Sequence, residues 1–360
     1  MKKLVWIFLS MIMAAVALAQ PSASVQAASG EWAVPVDKQS PQFLNVDSNG
    51  GIHYISADVD KRISYYRYYD AAGKKVFSVK GKQEQVMSVE SNSSGILLDR
   101  HLWGGIYLDL TFYDRKGNAK WTRHFNSTLY VEEVSDSRIL LRAYPGNKDG
   151  TISFYTLNPK TGATVQSLKY NSDFEWKNGF YNKTANGKNH AYALDGFEFV
   201  TEDFNDNVSA IVKNSDGSRL ILTSNMFSSD ASSILYLVDA NKRVVWKRPF
   251  TLEWLHGLTV RYGRLYLYDD KLYCIDMRTG KSVWEYVPDS RIREDYLFMK
   301  DNRILWGNSL IDMNGKLIKT VNFDRAGLET SGYVVHPSGA YAIGTGYDAK
   351  DVTYIYRKLL

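Results

Sequence analysis

Few residues in this chain have the types and spacing that could do chemistry. Asp203-x-Asn205-x-Asn207 spaces oxygen ligands as a calcium loop does, but that loop's Gly is missing and its twelfth position holds Asn214 instead of Glu. The stretch reads as a solvated acidic loop. Six His are scattered without metal-ligand spacing, so no metal site is expected. There is no Gly-x-Ser-x-Gly, no Walker loop and no His-Glu-x-x-His. The single cysteine, Cys274, sits between Tyr273 and Ile275 in an apolar strand and reads as a small core residue rather than a nucleophile. Paired carboxylates for glycoside hydrolysis would have to come together from distant segments. Asn92, Asn126, Asn182 and Asn207 lie in sequons.

What remains are residues suited to holding a partner. "DRHLWGGIY" offers His101 and Trp103, "TLEWLHGL" offers Trp254 and His256, "PDSRIRED" offers Arg291 and Arg293, and "GYDAKD" offers Tyr347. Trp, Tyr and Arg anchor protein interfaces, and aromatic rings also stack on sugars. All seven fall in stretches that read as connections, so the elements between them must fix their positions.

Those elements are strands. Aromatic residues make up 14% of the 360 residues, with 25 Tyr, 15 Phe and 9 Trp, and Tyr and Trp favour strands. Asp or Asn followed by Gly punctuates a repeating hairpin at Asp70/Gly73, Asp114/Gly117, Asn158/Gly162, Asp195/Gly196, Asp239, Asp276/Gly280 and Asp312/Gly315. Setting aside the degenerate Asp195 copy, the spacings are 44, 44, 81, 37 and 36 residues, and the copy at Asp195 divides the gap of 81. A second hairpin precedes each copy, with a turn rich in Asn, Asp, Ser and Gly, as tight turns require. In the weakest unit this second hairpin is assigned to "NKTANGKNHAY". Two hairpins in roughly 41 residues make a four-stranded blade of a β-propeller.

The fold expected is therefore all-β, an eight-bladed propeller with seven blades as the alternative. The segment "GEWAVPV" has no hairpin of its own, and Glu31–Val36 is expected to pair with the last strand, near Leu360, and so close the last blade. Phe77, Trp121, Trp246 and Trp284 follow the turns at the position where a large flat side chain can wedge between blades. In such a fold the a–b and c–d turns share one face, and the b–c and d–a connections share the other. The longer, uneven b–c connections mark that second face as the one that binds.

The first 27 residues read as a secretory signal: Lys2 and Lys3, an apolar run from Leu4 to Ala19, then small residues around Ala19 and Ala27. The run is shorter than the ~20 residues of a membrane span. The mature chain, residues 28–360, is expected to be one exported propeller domain without a membrane anchor, secreted or associated with the cell envelope. Loss of the two lysines lowers the formal charge from +5 to +3, too weak a field to argue for nucleic acid.

The stretch "LYCIDMRTGKSVWEY" resembles the quinoprotein (PQQ-like) repeat, whose usual form is Leu-Tyr-Ala-Leu-Asp-x-x-Thr-Gly-x-x-x-Trp. "YLVDANKRVVWKRPF" and "YDRKGNAKWTRHF" are weaker matches. The family implies either a dehydrogenase holding pyrroloquinoline quinone (PQQ) and calcium on the propeller axis, or a non-catalytic propeller. The enzymes typically hold the quinone under a disulfide of adjacent cysteines, and one cysteine cannot form it. No Glu, Asn and Asp set at matching positions suggests calcium ligands. The resemblance thus favours a secreted, non-enzymatic bacterial member, with neither PQQ nor calcium, that binds a protein or a cell-wall polysaccharide. A PQQ/calcium-dependent dehydrogenase or a glycan-cleaving propeller is the rival.

Overall fold

A computed structural model describes residues 30–83, 85–102, 107–145, 151–171, 175–177, 180–193, 195–202, 205–225, 232–250, 256–268, 271–288, 297–300 and 302–360. Among them there is no helix; the strands pair antiparallel, apart from one parallel bridge between Ile63 and Gln85. By contacts it divides into two units, one of Leu18–Asn171, Phe298–Lys300 and Val321–Leu360, the other containing Ser172–Leu297 and Asp301–Thr320.

In the first unit the strands pair in sets of four. The first set is Ser40–Val46, Ile52–Asp58, Ile63–Tyr69 and Lys75–Gln83. The second is Gln85–Ser91, Ile96–Leu102, Tyr107–Tyr113 and the first half of Ala119–Val134. The second half of that strand opens the third set, with Ile139–Pro145, Thr151–Leu157 and Thr164–Asn171. One continuous strand thus serves two sets, so this d–a connection has no loop. In the last set Glu329–Val335, Tyr341–Tyr347 and Thr353–Leu359 are completed by Trp32–Asp37, which pairs Trp32 with Arg357 and Val34 with Ile355. The first and last described strands therefore share one blade, and the first of them starts at Trp32.

The other unit repeats the pattern in Glu175–Lys177 to Glu198–Val200, Asp206–Lys213 to Val244–Phe250, and His256–Arg261 to Ser282–Tyr286. It also contains the hairpins of Arg303–Trp306, Ser309–Asp312 and Leu317–Thr320. One placement differs from the sequence expectation. Ala185 pairs with Lys188 across Asn186-Gly187, and Ala193 bonds Phe197 across Asp195-Gly196. The Asn186-Gly187 turn therefore joins the second and third strands of its set, not the first and second. Two good turns lie close together here, and periodicity alone could not rank them.

Cores lie between neighbouring sets. Ile55, Tyr66, Met87, Val89, Ile96 and Leu98 join the first set to the second, and Leu110, Phe112, Leu129, Leu141 and Leu157 join the second to the third. Cys274 is fully buried, and burial pushes its thiol above the usual range.

The hairpin turns explain their own composition. The Asp114 carboxylate accepts the backbone N–H of Lys116 and of Asn118, each at 2.9 Å, and Asp312 does the same for Asn314 and Lys316 at 2.8 and 2.9 Å. The turn Gly has positive φ and also supports the previous blade's ring. A Cβ on Gly162 would stand 2.6 Å from the Trp121 ring, one on Gly280 2.7 Å from Trp246, one on Gly315 2.7 Å from Trp284, and one on Gly117 2.6 Å from Phe77. The indoles of Trp121, Trp246 and Trp284 donate to the carbonyls of Pro159, Met277 and Met313 at 2.8, 2.9 and 2.9 Å. Trp32 lies on Gly73 in the same way.

Candidate functional site

The first unit holds two polar clusters. They sit at opposite ends of the strands.

At the turn end, Asp47 accepts the N–H of Asn49 and Gly51 at 2.8 and 3.0 Å, and its other oxygen meets His53 Nε2 at 3.2 Å and the Arg115 guanidinium. Arg115 also donates to the Tyr68 hydroxyl at 2.8 Å and to the carbonyls of Asn92 and Ser93 at 2.7 and 3.3 Å. His53 Nδ1 lies 2.9 Å from the Tyr66 hydroxyl. Burial works to raise the Asp47 carboxyl, but the bonds and charges of His53 and Arg115 outweigh it and hold it at about 2. Asp47 and His53 are buried, and Arg115 reaches them from the second set's turn, so the network holds two sets together.

Toward the b–c end, the second and third sets carry a different arrangement. Asp99, buried in the strand Ile96–Leu102, accepts from Ser88 Oγ at 3.1 Å and lies 3.0 Å from His101 Nδ1. The bond to Asp99 raises the His101 pKa, against a smaller opposing effect of burial. Asp99 stands between Ser88 and His101, so His101 has no bond to the serine. Nucleophile activation needs the histidine in the middle, and this trio therefore does not activate Ser88. At the turn end of the same strand pair, burial alone lifts the half-buried Glu90 carboxyl to about 7.

In the third set, Tyr130 faces Arg142 across the strand pair, and a bulge opposite Leu140–Leu141 leaves Glu132 as the extra residue. Arg142 donates to Glu132 at 2.6 Å and to the Tyr144 hydroxyl at 2.5 Å. Its guanidinium lies 4.7 Å from the Tyr130 ring centroid and 5.2 Å from that of Tyr144, and the two rings meet edge to face at 5.7 Å. Burial raises the Tyr144 hydroxyl pKa, only partly offset by Arg142. Tyr130 is nonetheless 43% exposed. The result is a flat ring fixed by a cation and a second ring, with a carboxylate beside it, open to solvent on one side. Such a surface anchors a partner at low entropic cost.

Of the residues singled out in the sequence, His101 lies in a strand rather than a loop and belongs to the second set's cluster. Tyr347 ends the strand Tyr341–Tyr347 in the last set, two sets away. His256 begins the strand His256–Arg261, opposite Tyr268. Trp103, Trp254, Arg291 and Arg293 lie outside the described residues. Tyr130, Arg142 and Tyr144 were not singled out; the Arg-x-Tyr spacing in "LRAY", which puts Arg142 and Tyr144 on one face of a strand, was the available signal. Among the described residues no group of three His, Cys, Asp or Glu is placed to hold a metal, and no helix is long and apolar enough to cross a membrane.

Residues 231–320 match the family described as outer membrane protein assembly factor BamB. No curated protein matches the chain. Among solved structures, BamB from Moraxella catarrhalis is similar at 14% identity, covering 91% of this chain and 98% of that one, with a TM-score of 0.51. Sqt1 from Saccharomyces cerevisiae is similar at 9% identity over 91% and 98%, with a TM-score of 0.52. At such identities the likeness is one of fold. That fold is a β-propeller, and the PQQ-like repeat is matched over residues 231–320.

Proposed function

We propose that this chain is an exported, non-catalytic propeller that binds a protein through the b–c end of its blades, with Tyr130, Arg142 and Tyr144 at the contact. The observation that carries this reading is the exposed Tyr130 ring, held in place by Arg142 and Tyr144. The similarity to a propeller described as an assembly factor favours a protein partner over a small ligand. The basic and apolar N-terminal residues favour export to the cell envelope.

The test begins by recovering the partner from the source cells with the intact chain. Its affinity is then measured for the wild type, Tyr130→Ala and Lys116→Ala, the last an exposed change at the turn end. Loss of a central aromatic anchor costs about 2 kcal/mol or more, some thirtyfold in Kd. Tyr130→Ala should show that loss and Lys116→Ala should not. Equal affinities for all three would remove Tyr130 from the interface.

A further inference from the structure

We infer that the outer strand Thr164–Asn171 is an open sheet edge through which two copies of this chain pair antiparallel. The strand is eight residues long and pairs with Thr151–Leu157 along one side; no described strand pairs along the other. Every residue from Ala163 to Lys169 is exposed. Val165 is 69% and Leu168 39% exposed, and they point to opposite faces. Gln166 occupies the position that Trp121 holds in the preceding set, since Thr156 pairs with Gln166 as Phe112 pairs with Trp121. At that position, therefore, no ring ties this strand to a neighbour.

The other outer strands are guarded. Pro35 interrupts Trp32–Asp37, and Lys247, Arg248 and Pro249 occupy Val244–Phe250. Lys75, Lys80 and Lys82 line Lys75–Gln83, and Lys120, Arg123 and His124 line the outer half of Ala119–Val134. Glu198–Val200, Ser282–Tyr286 and Leu317–Thr320 have only three, five and four residues. Charge, proline and shortness are the devices that keep sheet edges from pairing. Thr164–Asn171 has one cation, Lys169, and no proline.

A row of outward N–H and C=O groups, otherwise bonded to water, is a ready template for another extended chain. A second copy of the same strand fits. Antiparallel pairing centred on Gln166 sets Lys169 opposite Ala163 and Leu168 opposite Thr164, and pairing centred on Ser167 sets Lys169 opposite Val165. Neither register opposes like charges. With one unguarded edge among the described strands, the contact is isologous, closes as a dimer and does not propagate. One strand pair buries less than the ~1,200 Å² typical of stable interfaces, so the dimer is a weak one.

Sedimentation velocity of the purified chain over a micromolar to millimolar series tests this. The wild type should move from monomer to dimer. Gln166→Lys with Ser167→Lys, which opposes lysines in either register, should raise the dissociation constant at least tenfold, and Val244→Lys on a guarded strand should leave it unchanged. A wild type that stays monomeric throughout, or a dimer that survives the double variant, overturns the inference. Should the double variant lose its near-ultraviolet dichroism, Gln166→Cys and Ser167→Cys decide the matter under oxidation. Cys274 is buried and gives no background. One of the two should form a disulfide-linked dimer, and failure of both overturns the inference.

Discussion

The two ends of the first unit use charge in opposite ways. At the turn end, Asp47, His53 and Arg115 spend every hydrogen bond on one another, on Tyr66 and Tyr68 and on the backbone. Gly51 leaves room for this, since a Cβ there would stand 2.1 Å from the Tyr68 hydroxyl. Toward the b–c end, Arg142 is as well bonded, yet the Tyr130 ring that it covers on one side stays open to solvent. A sealed ionic network fixes how blades meet. An ordered but open one is surface held ready for something else, and ordering in advance is what lowers the cost of binding.

The comparison breaks first at Arg115. Arg115→Ala leaves Asp47 buried with its main cation gone, and urea unfolding should show a loss of about 3–5 kcal/mol. Tyr130→Ala should lie within about 1 kcal/mol of the wild type. If the two losses were equal, the turn end would be no more structural than the other.

Trp121→Ala comes next, at about 3 kcal/mol for a ring that rests on Gly162 and bonds Pro159. Gln166→Ala, at the matching exposed position, should cost under about 0.5 kcal/mol by the same measurement.

Glu90 sharpens the comparison through pH. Its folded pKa of about 7 lies above the ordinary 4.5 because of burial. The folded state therefore holds a proton that the unfolded chain releases, and stability falls as pH rises from about 4.5 to 7. Glu90→Gln should remove that fall, a gain of at most about 3 kcal/mol at pH 8, and should change little at pH 4.

His101 should show the smallest effect. Its pKa is raised by Asp99, so its contribution is complete below the unfolded value of 6.5 and is lost as pH rises through the folded one. A ring-proton NMR titration should place the folded midpoint above 6.5 in the wild type and lower in Asp99→Asn.

Much of this scaffold was legible in the sequence, because hairpin turns announce themselves. Asp114 and Gly117 fix a turn and its register, and Trp121 follows four residues after the glycine. Trp32 was not legible as a wedge, because its strand is completed by residues at the far end of the chain and no turn precedes it. The site was harder still. His101 reads as a loop residue beside "LWGG" but belongs to a strand, since Asp99 and Ser88 compensate for burying polar groups there. Glu132 meets Arg142 at a bulge, and a bulge shifts alternation by one residue without leaving a composition signal. A search for the repeat passes over such a place.

The most direct measurement is photo-crosslinking in the source cells, with the probe residue at Tyr130 in one variant and at Lys116 in another. A discrete protein adduct from position 130 and none from position 116 is the predicted result. Adducts from both positions, or from 116 alone, would contradict the assignment of binding to the b–c end.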